Sequence, residues 1–572
     1  MKEFKKFWFF LPNKEKFNFF LIVFFAIIQA FLELISIAAV IPFITFLIKP
    51  EELNNYQFLS DFLYSKNFLE HENFIVVLCL VFCAIFLIKN IFIVLINKKI
   101  FEFIFKFRTS LHIDLLNKVL HQNYLFFINQ GYSKINNVLS EEVNNYSVNT
   151  VRPTINLFRE IIICIGLLLL VTYTGHLENL IFIIPFIFLI ILILKKINRS
   201  IQDWSKTRIQ NKENLVKLKY GLIHGVKEIL ISGKITNLVK HFNKNYISLQ
   251  SIDVKNNTIS TYPKALLEQT VIFIFILIVI FMNLSGDNFD DTIIILGFYL
   301  AVSYRLLPAI NNIAVSNQQL KFGKPSHDKI LEYFLLEKKN VFDKSQENVL
   351  DFNDNIKLEN IFFSKKNENL FEGLNLRIDK NEIIGIYGES GTGKSTLLNI
   401  LVNLIKPQKG YIYLDDKLIS DKFDIRKYQN LFSIVTQESF LINETILENI
   451  VIDKDNFDKK KLEKSLKFAS LNETISSLES GLNTKVGMAL KKLSSGQKQR
   501  IAIARAYYSD RKILVLDEAT NALDEKNEKK IFENIQKLKN YKTVIIISHK
   551  TENLKICDKV YFVNEKKIKL KS

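Results

Sequence analysis

Cysteine, glycine, proline, methionine and tryptophan are all scarce in this 572-residue chain, at 4, 18, 9, 3 and 2 residues. Cys79, Cys83 and Cys164 lie inside apolar runs and Cys557 falls near the carboxy terminus, so no spacing marks a metal or redox centre. Lys and Arg number 76 against 58 Asp and Glu, a net charge of +18, yet no basic block implies nucleic-acid readout. The surplus is read as favouring an anionic membrane surface. Near the amino terminus no small-residue cleavage site follows the apolar stretch, which argues against a signal peptide. Residues 1–20 mix Lys2, Lys5 and Lys6 with Phe4, Phe7, Trp8, Phe9 and Phe10 and read as an interfacial helix.

What is abundant is apolar: 48% of the residues are hydrophobic, concentrated before position 320, and the remainder reads as ordinary soluble α/β sequence. The length exceeds one compact core, so several domains are expected. A spanning helix needs about 20 mainly apolar residues. Six stretches qualify or nearly do: 17–48, 74–96, 154–173, 180–194, 265–284 and 292–315. Lys98, Lys99, Lys106, Arg108 and Lys118 follow the second, and Lys195, Lys196, Arg199, Lys206, Arg208 and Lys212 follow the fourth. By the positive-inside rule these connections, and both termini, are cytoplasmic. Each is long enough to carry helices out of the membrane. The segments 124–134 and 220–233 at their midpoints are read either as coupling helices or as simple hairpin turns.

The second half carries contiguous chemistry. The apolar run Ile383-Ile384-Gly385-Ile386-Tyr387 leads into Gly388-Glu389-Ser390-Gly391-Thr392-Gly393-Lys394-Ser395-Thr396 and a helix-like segment. Glycines let backbone N–H groups converge on phosphate oxygens, and the helix start adds its dipole. Lys394 reaches the outer phosphates, and Ser395 is suited to Mg²⁺. A second apolar strand ends in Asp517-Glu518, assigned as Mg²⁺ ligand and as general base for the attacking water.

Between these strands, Leu493-Ser494-Ser495-Gly496-Gln497-Lys498-Gln499-Arg500 resembles the signature of the ABC (ATP-binding cassette) ATPases. Gln437 matches their Q-loop glutamine, Asn521-Ala522-Leu523-Asp524 their D-loop and His549 their switch histidine. The resemblance implies an ATP- and Mg²⁺-dependent half-transporter of the exporter type. Residues 1–335 would form an all-α six-helix transmembrane domain, 336–355 a linker and 356–572 an α/β P-loop nucleotide-binding domain. It further implies a homodimer in a bacterial inner membrane. Each ATP would lie between one phosphate loop and the Ser494, Ser495, Gly496, Gln497 and Asp524 region of the other copy. Gln437 would also sense Mg²⁺, and His549 would contact the γ-phosphate.

Two departures stand out. Ser495 replaces the usual first signature glycine; its Cβ restricts the backbone, which predicts a reduced rate. Lys365 replaces the aromatic that normally stacks on adenine, which predicts loose base selectivity, with Phe363 read as a core residue rather than a substitute.

For cargo, three cations in the spans are assigned to an anionic ligand: Arg305, Lys264 and Lys89. The alternative is internal pairing with Glu33, Glu160 and Glu268. Tyr304-Arg305-Leu306-Leu307-Pro308-Ala309-Ile310-Asn311-Asn312 and Tyr262-Pro263-Lys264 resemble parts of bacterial flippases for lipid-linked oligosaccharides of protein N-glycosylation. That resemblance implies a polyprenyl-pyrophosphate-linked glycolipid as cargo. It extends to Phe58, Leu59, Phe62 and Leu63, read as the apolar face of an external helix, with packing against neighbouring loops as the alternative that base rates favour. A drug or peptide exporter, or a nucleotide-binding regulator with weak ATPase, are the competing readings.

Overall fold

The computed structural model describes residues 8–11, 13–48, 71–173, 184–285, 289–337, 350–365, 368–419, 425–486, 493–564 and 566–571. The external segment 49–72 carrying Phe58, Leu59, Phe62 and Leu63 therefore lies almost wholly outside the described residues, as do the turn 174–179 and most of the linker 336–355. The chain divides into two units: residues 1–122 with 129–338, and residues 123–128 with 339–572.

The first unit is helical: α1 (Asn13–Ala38), α2 (Val40–Ile48), α3 (His71–Leu120), α4 (Tyr124–Gln130, whose first turns belong to the second unit), α5 (Tyr132–Tyr173), α6 (Ile184–His224), α7 (Val226–Ser232), α8 (Ile235–Ser285) and α9 (Phe289–Phe334). At 1.5 Å per residue the 50-residue α3 is about 75 Å long, far more than a hydrocarbon core of about 30 Å. Its apolar first part can span, and its charged second part continues into water. Among the described residues, Glu15–Ile48, Ile75–Leu120 and Tyr132–Tyr173 are long and apolar enough to cross a membrane. Residues 184–194 of the fourth apolar stretch fall on α6 and the last two stretches on α8 and α9; the side chains of the fourth lie wholly outside the described ones, and those of the last two partly.

Helices α1, α5 and α9 form the core of this unit through Ala30, Ile37, Ile163, Leu167, Val171, Phe298, Tyr299 and Val302. Close approach needs small residues. A Cβ on Gly323 of α9 would stand 2.7 Å from the Asn149 carbonyl oxygen of α5. Two π-helical stretches interrupt α5, Asn137–Glu142 and Ser147–Val151. Glu142, the last residue of the first stretch, is fully buried, accepting from Ser326 (2.6 Å), Arg208 (3.3 Å) and Asn137 (3.2 Å). Residues 1–7 of the amino-terminal aromatic segment lie outside the described residues; beyond them Phe10 and Leu11 are buried, with Phe10 edge-packed on Tyr146 and Phe334.

The second unit has two sheets. One is antiparallel, in the order β2 (Glu368–Asp379), β1 (Asn355–Lys365), β4 (Lys409–Leu414), β5 (Lys417–Leu418). The other runs β10 (Lys567–Leu570), β9 (Lys559–Asn564), β3 (Ile383–Tyr387), β8 (Thr543–Ile547), β7 (Ile513–Asp517), β6 (Phe432–Val435). Strands β9, β3, β8, β7 and β6 are parallel. Every residue of β7 and β8 is buried, which is why these strands read as unbroken apolar runs. Leu125, from residues 123–128, packs against one of this unit's two hydrophobic clusters.

Candidate functional site

Four adjacent parallel strands each deliver one element of the site. Strand β3 enters the loop 388–393, β8 leads to His549, β7 ends on Asp517 with Glu518 next, and Gln437 follows β6 by two residues. Their order, β3-β8-β7-β6, sets these elements side by side at the carboxyl ends of parallel strands, where open α/β sheets bind ligands.

In the loop, Gly391 and Gly393 take φ of 87° and 94°, a region that side chains rarely adopt. A Cβ on Gly393 would also press on the Phe371 ring at 3.0 Å. Gly393 caps the helix α10 (Lys394–Leu401), so amides of the loop and the first turn are aimed at one place. Glu389, Ser390 and Ser395 are exposed, and Thr396 is half-buried. The Thr392 hydroxyl donates to the Glu389 carbonyl at 2.9 Å. Lys394 donates to the Gly388 and Glu389 carbonyls at 2.9 and 2.7 Å, folding its ammonium into the loop. Burial lowers that ammonium's pKa, opposed by Glu518 and Asp517. Asp517 is 8% exposed; burial pushes its pKa up and Glu518 adds to the effect, while the Ser395 hydroxyl and Lys394 oppose it. The Ser395 hydroxyl and Asp517 carboxylate are hard oxygen donors near enough for the hydroxyl to favour the ionised carboxylate, a pair that fits Mg²⁺.

Glu518 is held at φ 51°, the left-handed region, by its N–H bond to the Ile547 carbonyl. Both carboxylate oxygens are engaged. Oε1 lies 2.7 Å from His549 Nε2, and Oε2 accepts from Gln437 at 2.9 Å and Asn521 at 3.0 Å. Residues far apart in sequence thus converge on one carboxylate.

Ser494 caps the helix α11 (Ser495–Tyr508), and its hydroxyl and the Gln497 amide form a reciprocal capping box. Ser495 is the first residue of that helix and is exposed. The backbone restriction expected of its Cβ does not operate at a helical position. Gly496 must stay small, since a Cβ there would stand 2.8 Å from the Ala522 carbonyl. Asp524 caps α12 (Glu525–Gln536), accepting from Asn527 at 2.7 Å, and that amide holds its carboxyl below the usual range. Lys365 is exposed at the end of β1, opposite Glu368, while Phe363 is in the core.

Sequence reasoning missed Gln499. It is buried, accepts from the Ala522 N–H at 3.2 Å and donates to the Gln437 carbonyl at 3.4 Å, joining signature helix, D-loop and Q-loop. Its position four residues after Ser495, one helical turn, was the available signal.

In the helical unit, Arg305 of α9 donates through Nε to Glu33 of α1 and through Nη2 to Glu160 of α5 at 3.0 Å. Arg159 (2.9 Å) and Asn312 (3.2 Å) also donate to Glu160, and Gln29 (2.9 Å) to Glu33. Internal pairing, one of the two readings of this cation, is the arrangement present. Lys264 and Glu268 approach to 3.7 Å on an exposed face of α8, and Lys89 sits half-buried with its ammonium 4.3 Å from the Phe86 ring centroid. Arg305, Lys264 and Lys89 are not brought together by any direct contact found among the described residues.

Residues 371–521 match the ABC transporter family model. The site therefore defines an ABC-type nucleotide-binding domain. Together with the helical unit, this domain has the fold of a solved ABC exporter. A probable ABC transporter ATP-binding/permease protein of Haemophilus influenzae is 30% identical over 348 residues, covering 59% of this chain and 61% of that protein, so the match spans less than two thirds of its length. An ATP-dependent lipid A-core flippase of Wigglesworthia glossinidia brevipalpis is 28% identical over 468 residues, 80% of this chain and 78% of the flippase. A bacterial Atm1-family ABC exporter with ATP bound has the same fold, at a TM-score of 0.77 and 18% identity over 96% of this chain and 94% of that one.

Proposed function

We propose that two copies of this chain hydrolyse ATP to move a lipid across a bacterial inner membrane, with both termini in the cytoplasm. The carrying observation is the carboxylate of Glu518, at the end of a strand separated from the phosphate loop's strand by β8 alone, and held by Gln437, Asn521 and His549. In this reading the loop amides of 388–393, with Ser390, Thr392 and Thr396, receive the phosphates, and Lys394 leaves its carbonyl partners for the outer phosphates. Ser395, Asp517 and Gln437 would hold Mg²⁺, which would supply neutralisation of phosphate charge. Ser494, Ser495, Gly496 and Gln497 of the other copy present helix-start amides to the same nucleotide, with Asp524 alongside. Glu518 acts as general base for the attacking water, its carboxylate oriented by His549, Gln437 and Asn521.

The cargo we propose is a polyprenyl-pyrophosphate-linked oligosaccharide or similar anionic glycolipid, met by Lys264 and Lys89, with Arg305 held by Glu33 and Glu160. A relative named as a lipid A-core flippase supports lipid cargo. A drug or peptide exporter is the second reading, favoured by the neutralisation of Arg305 by Glu33 and Glu160. Proteoliposomes loaded with a pyrophosphate-linked glycolipid decide between them. The proposal expects ATP-dependent flipping that Glu518→Gln abolishes and Lys264→Ala weakens; ATP hydrolysis without any flipping of that lipid removes it in favour of the other cargo.

A further inference from the structure

The chain crosses between its two units at three points: from 122 to 123, back from 128 to 129, and finally from 338 to 339. Gln122 is the last residue before the first crossing, and Glu337 stands just before the last. Their segments are tied together. The Gln122 side-chain amide, 4% exposed, donates to the Glu337 carbonyl at 2.7 Å and to the Lys118 carbonyl at 3.1 Å, using both of its hydrogens. One turn earlier in α3, the Lys118 ammonium donates to the Phe334 carbonyl and lies 4.1 Å from the centroid of the Phe334 ring.

Phe334 is the last residue of α9, whose final carbonyls have no partner within the helix. A cation at that end satisfies a carbonyl and complements the helix dipole. The ring is fixed as well, packed edge-on by Phe9 and Phe10 at 5.6 and 5.0 Å. Past the clamp, the Asn123 side chain accepts from the Phe126 N–H at 3.1 Å, starting α4, whose Leu125 is anchored in the second unit's core.

We propose that Lys118 and Gln122 are positioning residues for energy coupling: they clamp the end of α9 to the end of α3, so that the first and last crossings into the ATP-binding unit shift together. The clamp rests on the reading of the chain as an ATP-driven transporter. Without it, motion of the second unit would reach α3 through α4 and α9 through the linker as two independent pulls. With it, both helices receive one displacement.

The test uses the full chain in proteoliposomes, comparing wild type with Gln122→Leu, Lys118→Met and the conservative Lys118→Arg. ATP hydrolysis is measured beside the ATP-and-vanadate-induced change in spin-label distance between the α9 helices of the two copies. The clamp predicts hydrolysis retained in Gln122→Leu and Lys118→Met, the distance change reduced about fivefold or more, and substantial recovery in Lys118→Arg. A full distance change in both disrupting variants overturns the clamp alone. Wild type that hydrolyses ATP with no distance change overturns it too, while wild type that hydrolyses no ATP removes the transporter reading and the clamp with it. If one variant fails to fold, the other carries the comparison.

Discussion

Replacing Arg305 by Met separates a structural cation from a cargo-binding one. Its partners are almost fully enclosed: the Glu33 and Glu160 side chains are 4% and 1% exposed, against 17% for Arg305. Removing one member of a buried ion pair strands the other charges, at a cost of about 3–5 kcal/mol. Some compensation stays in place, because Arg159 still donates to Glu160 and Gln29 to Glu33, each at 2.9 Å. The lower end, about 3 kcal/mol, is therefore expected. At about 2 °C per kcal/mol for a large domain, melting should fall by about 6 °C. Intrinsic fluorescence in detergent reads this directly, since the only two tryptophans, Trp8 and Trp204, both lie in the helical unit. Arg305→Met combined with Glu33→Gln should regain much of the loss by removing one stranded charge. Unchanged melting in Arg305→Met, together with lost lipid flipping, would refute the structural assignment and return Arg305 to the cargo path.

Glu142→Ala should destabilise the same unit by about 3 kcal/mol or more, by leaving Arg208 buried without its carboxylate, and the tryptophan melt should fall accordingly. Ser495→Gly should leave the rate of ATP hydrolysis within about twofold, an effect below about 0.5 kcal/mol, because Ser495 already occupies a helical position. Lys365→Tyr should raise the preference for ATP over analogues altered only in the base; an identical profile in the two proteins would show that this strand end does not meet the base. Cys557, whose thiol burial pushes up to about 12, should resist alkylation at pH 8 in the folded protein and react once the second unit opens, as mass spectrometry of denaturant-treated samples would detect.

The nucleotide site was legible because its chemistry fixes residue types at short, contiguous spacings and strings them on fully apolar strands. Three spans, on α1 with α2, α3 and α5, were legible because lipid demands composition rather than order. What escaped was pairing across distance. Arg305 meets Glu33 from 272 residues away and Glu160 from 145, and no local pattern marks either contact. The two carboxylates were visible as options, but choosing between partner and cargo required the packing of α1, α5 and α9. The π-helical stretches of α5 left no signal, since a widened turn changes hydrogen bonding without changing composition. Sequence alone left 124–134 open between a coupling helix and a hairpin turn; residues 123–128 group with the second unit, where Leu125 packs against its core.

The apolar stretch of α3 is hardly covered by its own chain: only 6% of its most apolar window is buried, and Leu80, Leu87, Ile88, Ile91 and Val94 are each more than half exposed. Released into the cytosol, that flank would cluster with other nascent chains long before the residues forming the ATPase emerged. Delivery to the bilayer must accompany translation of this protein, and a delay in targeting would send it to aggregates rather than to a later rescue.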